Sequence, residues 1–468
     1  MKAMTKNCNG SSDTPGELPI EALTGSVRDF QELRGSDLIG RVQPFFDWQD
    51  LRRQHDLWSY SKATNTAPTS HSAATSDSGV RTAGVNFASQ DYLSLSSHEA
   101  VKAAAKAAID EYGVHSAGSS ALLGNTRFSL QLEQVVSEFL GFEHTVLYPT
   151  GWSAGFGVVQ GLVRPDDHVL MDILTHSCLQ EGAKAATRNI HFHGHLNVDR
   201  ARQRLARIRA NDPNNAIMVI TESQFSMHAD TPDLRGLHDV CREYNALLVI
   251  DVAHDLGCVG ETGHGQLGLQ NMLGDADLII GSFSKTFASN GGFVATRSRA
   301  VKEYLKYYSA TQTFSNAMSP AQAASVLQAF EIVRSDEGAA LRRKLMDNVL
   351  YLRAELGKAR LEVTGVPGAV VPVNIGTEGS ARIAARRLAE LAAIVNLVEY
   401  PAVPKGNARF RLQVMANHNK KDIDTLVRLM ATAVKEAEVL FRPYGQELAA
   451  TAIPTPIRQS AARQSAAT

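Results

Sequence analysis

Apolar positions along this chain change their period in a regular way. Runs spaced three and four apart, at 98–112, 128–141, 151–163, 177–187, 198–209 and 232–245, alternate with short continuous apolar runs at 144–149, 167–173, 189–193 and 215–222. The first spacing keeps one face of a helix apolar, and the second suits a strand buried on both faces. Such alternation predicts an α/β chain whose mostly parallel sheet is covered on both sides, with ligands gathering at the carboxyl ends of its strands. From Ser319 onward helical periods dominate, at 319–334, 336–358, 380–394 and 421–441, broken by short strands near 369–374 and 408–415. We therefore expect a large domain over 96–334 and a smaller α+β domain over 335–444, with 41–95 as the N-terminal part of the smaller one. Residues 1–40 read as an extension with one short helix near 21–33, residues 61–84 as a polar loop, and 445–468 as a flexible tail.

Composition narrows the function classes. The 468 residues carry Lys+Arg 47 against Asp+Glu 48, a net charge of −1, which offers no basic surface for nucleic acid. Cys8, Cys178, Cys241 and Cys258 have no metal-site spacing and form no disulfide framework. The 61–84 stretch holds one histidine, His71, too few for a metal site. No run of eighteen apolar residues occurs, and the first residues lack the apolar core of a secretion signal, so we expect a cytoplasmic protein without a membrane span.

The chemistry centres on two stretches. In Asp275 to Phe293, the apolar run Leu278 to Ile280 ends in small hydroxyl residues, then Lys285, then a Gly-Gly pair and a second apolar run, which predicts strand, turn, strand. A lysine fixed at a strand end with a lowered pKa is suited to a Schiff base with a carbonyl substrate or with pyridoxal 5′-phosphate (PLP). In Ala246 to Gly257, a strand ends in Asp251 with His254 three residues on, and a PLP site needs a carboxylate for the pyridinium nitrogen. A third stretch, Leu147 to Gly155, is a strand running through Thr150-Gly151-Trp152 into a helix, whose free N–H groups suit a phosphate. Alternate positions in Arg409-Phe-Arg411 put two guanidiniums on one side of a strand, where one can grip a carboxylate with two parallel bonds.

Taken in order from about Asn86 to about Leu440, these motifs resemble those of the α-oxoamine synthases, PLP enzymes of the aspartate-aminotransferase fold (fold type I). The resemblance implies a C-acyltransferase that condenses an α-amino acid with an acyl thioester of coenzyme A or an acyl-carrier protein, losing CO₂ and giving an α-aminoketone. Other PLP reactions on the same fold, or a catalytically silent subunit, are the alternatives. By the same resemblance Lys285 is the Schiff-base lysine and Asp251 holds the pyridine nitrogen protonated. His254 bonds the phenolic oxygen and His176 stacks on the ring. Ser226 bonds around the ring, while Gly151, Trp152 and Ser282 hold the phosphate. Asn316 reaches the phosphate of a neighbouring subunit, which implies a homodimer. Arg411 grips the amino-acid carboxylate, and Glu399 stands where members acting on a carboxylate-tipped chain commonly have arginine, so we expect it to repel such a chain. Asp230 reads as a loop or cap residue. The sequence departs from the family pattern at Ser120, Ser129, Gly155, Cys178 and Val252.

Overall fold

A computed structural model describes residues 18–451. The apolar runs fold into a seven-stranded sheet made of β4 (His144–Tyr148), β5 (His168–Asp172), β6 (Asn189–His193), β7 (Ile217–Glu222), β8 (Leu247–Asp251), β9 (Leu278–Ser282) and β10 (Gly292–Thr296). Their order across the sheet is β4-β10-β9-β8-β7-β5-β6, with β6, β5, β7, β8 and β9 parallel and β10 antiparallel to both its neighbours. Val219, Leu248 and Ile279 in the central strands have no exposed surface, because helices cover both faces. Each such side chain contributes about 1.5–3 kcal/mol by leaving water.

The helices start where short polar side chains can take the free N–H groups of a first turn. The Thr126 and Thr150 hydroxyls accept from the N–H groups of Ser129 and Ser153, opening the helices Arg127–Leu140 and Gly151–Leu162. Ser319 does the same for Pro320–Arg334, which also has proline in its first turn.

Two smaller sheets flank this one. One contains β11 (Glu362–Val363), β12 (Val370–Gly376), β14 (Leu397–Val398) and β15 (Ala408–Gln413). The other joins β1 (Ala63–Thr64), β2 (His71–Thr75) and β3 (Arg81–Asn86) to β13 (Ala393–Ile394), with β3 and β13 parallel. The 61–84 stretch is thus not the polar loop expected from its Ser/Thr/Ala composition. Ala73 and Ala74 are buried, and a Cβ on Gly84 would fall 1.8 Å from the Ala392 carbonyl oxygen, so small residues are what this close pairing requires.

The N-terminal expectation also needs correction. The helical pattern at 21–33 breaks into a helix Ile20–Leu23 and a 3₁₀ turn Val27–Phe30, because Gly25 turns the chain at φ 71° against Trp48. Ala22 and Leu23 are buried in the main apolar core, so the described part of 1–40 packs as core and not as an appendage. Aromatic residues of the following helix, Gln43–Gln54, continue that packing. Residues 1–17 and 452–468, which hold the rest of the expected extension and tail, lie outside the described residues, and 445–451 continue the helix Lys420–Thr451.

Candidate active site

Three adjacent strands deliver the chemistry to one place. β7, β8 and β9 end in Glu222, Asp251 and Ser282, and the register sets Glu222 directly beside Asp251. Ligand crevices in such sheets form just outside the carboxyl ends of the strands, and here the three groups and Lys285, three residues beyond Ser282, line a single pocket with Gly151, Trp152, His176, Cys178 and His254. Of the residues expected to hold the cofactor, only Ser226 and Asn316 stand away from its wall.

The pocket has a cradle for an anion. Ser153 N–H is taken by Thr150, which leaves the first-turn N–H groups of Gly151 and Trp152 for a ligand. A Cβ on Gly151 would lie 2.4 Å from Ser282 Cβ, so only glycine lets the helix start come this close to the β9 hydroxyl. Burial lowers the Lys285 pKa, with Asp251 opposing, and its Nζ makes no hydrogen bond to a described residue. An amine easily made neutral, aimed into a pocket with a phosphate cradle and a buried acid, is what PLP requires, and the residues fit it.

Polar contacts fix the pocket walls. Burial raises the Asp251 pKa, with His176 and Lys285 opposing, and Asp251 Oδ1 accepts from Ala253 N–H at 2.9 Å. Burial holds His254 well below its usual pKa and therefore neutral, while its Nδ1 meets the Tyr92 hydroxyl at 3.0 Å. Burial, followed by the Asp251 charge, pushes Glu222 well above the carboxylate range, and its Oε1 accepts from the His176 N–H at 2.7 Å. Neither Glu222 nor Tyr92 had a role in the sequence reading. The continuous apolar run at 215–222 marks Glu222 as a strand-end acid, and the register alone sets it beside Asp251.

Behind the pocket, His195 bridges the carboxylates of Asp172 and Asp230, at 2.9 Å on each side. Although burial opposes it, these two partners raise the His195 pKa to about 9. Asp230 lies in a loop, as expected, and adds there an ion pair that the sequence did not show. Asp172 also accepts from Leu174 and Leu196 N–H, which ties down the turn that carries His176.

Arg409 and Arg411 both reach Met227, confirming that they share a side, and Arg411 stands near enough to Lys285 and His254 to lower their pKa values. Its guanidinium lies 2.8 Å from the Gln413 side-chain amide, oriented here with its oxygen toward Arg411 so that both groups are satisfied, and pairs with no described carboxylate. Ser226 lines a second, larger cavity of about 800 Å³ that meets the pocket at His176. Asn316 lies instead beside Ser120 and Ser129, with its amide 3.2 Å from His115. There Ser129 serves the Thr126 helix cap, and Ser120 contacts Gln312.

Glu399 is not the free charge expected from its position. It is 6% exposed, with Oε1 held by Arg382 at 2.5 Å and Oε2 by Tyr60 at 2.9 Å and Arg52 at 3.4 Å. Nearby Lys405 sits over the Tyr400 ring and not on Glu399. Two cations already answer this carboxylate, so it cannot act by simple repulsion.

Comparison with known proteins agrees with this geometry. A family profile described as aminotransferase class I and II matches residues 82–429. The chain is 32% identical to an 8-amino-7-oxononanoate synthase from Coprothermobacter proteolyticus over 76% of its length and 89% of that protein. It is 31% identical to a serine palmitoyltransferase from Sphingobacterium spiritivorum over 75% of its length and 87% of that protein. Its fold matches that of a serine palmitoyltransferase from S. paucimobilis with PLP bound, at TM-score 0.80 and 22% identity, over 86% of this chain and all of that one.

Proposed function

The chain belongs to the α-oxoamine synthase family within the class I and II aminotransferases, and on that premise we propose that it joins an α-amino acid to an acyl thioester, with loss of CO₂, to give an α-aminoketone. The observation that carries this reading is the meeting at His176 of a Lys285–Asp251 pocket with a cavity large enough for an acyl group. Bound there, PLP supplies an electron sink for the pair left on the substrate α-carbon.

The chain's own groups do the rest. Lys285 Nζ is the covalent anchor and, once freed by the amino acid, the base that takes the α-proton, a task its lowered pKa favours. Asp251 keeps a proton on the ring nitrogen, and the His254 ring, neutral and set by Tyr92, offers a hydrogen bond to the phenolic oxygen. His176 packs on the ring, while Glu222 holds its backbone. Gly151, Trp152 and Ser282 hold the phosphate, and Arg411 grips the amino-acid carboxylate. Ser226, in the cavity wall, bonds at the ring edge.

We propose two domains, 96–334 and 335–444 with 41–95, a division supported by the pairing of β3 with β13. A homodimer follows from Asn316, which lies apart from its own cofactor pocket among the exposed Leu122, Leu123 and Phe314. No helix among the described residues is long and apolar enough to cross a membrane, and the buried free thiols of Cys178, Cys241 and Cys258 fit a reducing cytoplasm. The acyl donor is a thioester of coenzyme A or of a carrier protein. A product assay with carboxyl-labelled amino acids tests the reading: the reaction must release both labelled CO₂ and free thiol, and release of neither, or transfer of the amino group alone, overturns it.

A further inference from the structure

The large cavity is walled on one side by residues that precede the matched family region, 82–429. Val27, Phe45, Trp48, Trp58 and Tyr60 form this wall, opposite Phe225 and Tyr400. About 800 Å³ lies within the roughly 300–1,000 Å³ typical of pockets that enclose a small molecule. Apolar atoms dominate the lining, supplied by these aromatic rings together with aliphatic side chains such as Ile173, Met227 and Leu397.

Charge is absent from this wall in an instructive way. Among the described residues, Glu399 is the one acidic or basic side chain lining the cavity besides His176 and His228, whose pKa values burial lowers, so both are neutral. Both Glu399 oxygens are occupied, and the two arginines that hold them, Arg52 and Arg382, stand behind the wall at 0% and 1% exposure. Among the described lining residues an incoming carboxylate finds no free cation, and an incoming ammonium finds no free anion.

The same cluster fastens the wall in place. The Arg382 guanidinium donates to the carbonyls of Ala22, Thr24 and Gly25, at 3.3, 2.9 and 2.8 Å. Trp48 Nε1 donates to the Thr24 carbonyl, and Arg52 lies between the Trp48 and Trp58 rings, 4.8 and 5.0 Å from their centres. Removing one member of such a buried set leaves the others uncompensated.

We propose that residues 18–60 are the acyl-selecting wall of this enzyme, latched by Glu399 to Arg382 and Arg52, and that the site takes an uncharged, apolar acyl chain whose length the wall limits. The proposal rests on the acyl-transfer reading, and its test separates the two. Full-length enzyme carrying PLP is titrated with S-alkyl coenzyme A thioethers from butyl to hexadecyl, following Trp48 and Trp58 fluorescence, and assayed with the matching acyl thioesters. Val27→Trp, which narrows the cavity at a partly exposed position, shifts both binding and KM toward shorter chains, with about tenfold loss for the longest. Glu399→Gln frees the segment: trypsin cuts sooner at Arg28 and Arg34, and chain-length preference flattens about tenfold, while PLP absorbance and the amino-acid KM hold. Binding indifferent to Val27→Trp, or a carboxylate-tipped thioether binding as tightly as the alkyl one of equal length, overturns the wall. Thioether binding as described with no thiol released from any acyl thioester supports the wall and overturns the acyl-transfer reading instead.

Discussion

The Cys178 thiol occupies the space that any side chain at position 155 would claim: a Cβ on Gly155 would lie 2.4 Å from Cys178 Sγ. Two departures from the family pattern, each unremarkable in sequence, are therefore one packing exchange, beside His176 Nδ1, which is 3.0 Å from the same sulfur. Gly155→Ala should lower stability by about 1–3 kcal/mol through overpacking. Adding Cys178→Ala should restore most of it, since the smaller side chain clears the methyl group. Thermal unfolding of the two single variants and the double variant checks this; additive losses would show that the residues do not share the space.

Lys285→Ala should abolish the borohydride-reducible adduct with PLP and cut turnover by at least about 10³-fold, with little change in unfolding temperature. Asp251→Asn should keep the cofactor and lose most activity, because an unprotonated pyridine is a poor electron sink. Absorbance spectra and turnover of the two variants, measured side by side, decide both roles.

The pKa of Glu222 is raised on folding, so its contribution to stability is fully present below the ordinary glutamate pKa and is lost as pH rises through the folded one. Glu222→Gln keeps the acceptor for the His176 N–H and removes this dependence. The variant should therefore gain stability relative to the parent as pH rises above about 4.5. Chemical denaturation across pH 5 to 9 reads the difference, and parallel curves would mean that Glu222 is ionised in the fold.

His195 is shifted upward, to about 9, between Asp172 and Asp230. Its contribution is present below the ordinary histidine pKa near 6.5 and fades as pH rises through about 9. With the side chain 22% exposed, roughly 1–2 kcal/mol should be lost over that window after screening. His195→Gln should remove this alkaline slope, and the same window should show a rise in KM for the amino acid, as the turn carrying His176 loosens. An unchanged slope in the variant would assign the loss to other groups.

Mixing Lys285→Ala with an inactive Asn316→Asp protein should recover part of the activity through hybrid dimers. The assay needs demonstrated subunit exchange, and absence of recovery under that condition would place each cofactor site within one chain.

Much of this was legible because it follows from period and strand-end chemistry. The central strands are continuous apolar runs that nothing competes for, and Lys285, Asp251 and Ser282 are marked by standing where such runs stop. What was not legible depends on partners distant in sequence. The 63–86 strands are rich in small residues, and the last of them, β3, completes its pairing only against Ala393 and Ile394. Glu399 carries a charge whose sign was visible and whose neutralisation was not, as Arg52 and Arg382 come from separate elements. Glu222 gained its role from lying beside Asp251, a matter of register and not of motif.

The parallel pairing of β3 with β13 also orders events in time. Strands β1 to β3 leave the ribosome about 300 residues before the strand that completes their sheet. At about 5–20 residues per second, the open edge of β3 is exposed for some tens of seconds, with Phe87 and Tyr92 just beyond it still lacking their final cover. The N-terminal carbonyls that Arg382 will hold wait just as long. Synthesis that stalls before residue 393 therefore leaves a three-stranded sheet with the β3 edge unpaired, and chaperone demand should fall sharply once that strand emerges.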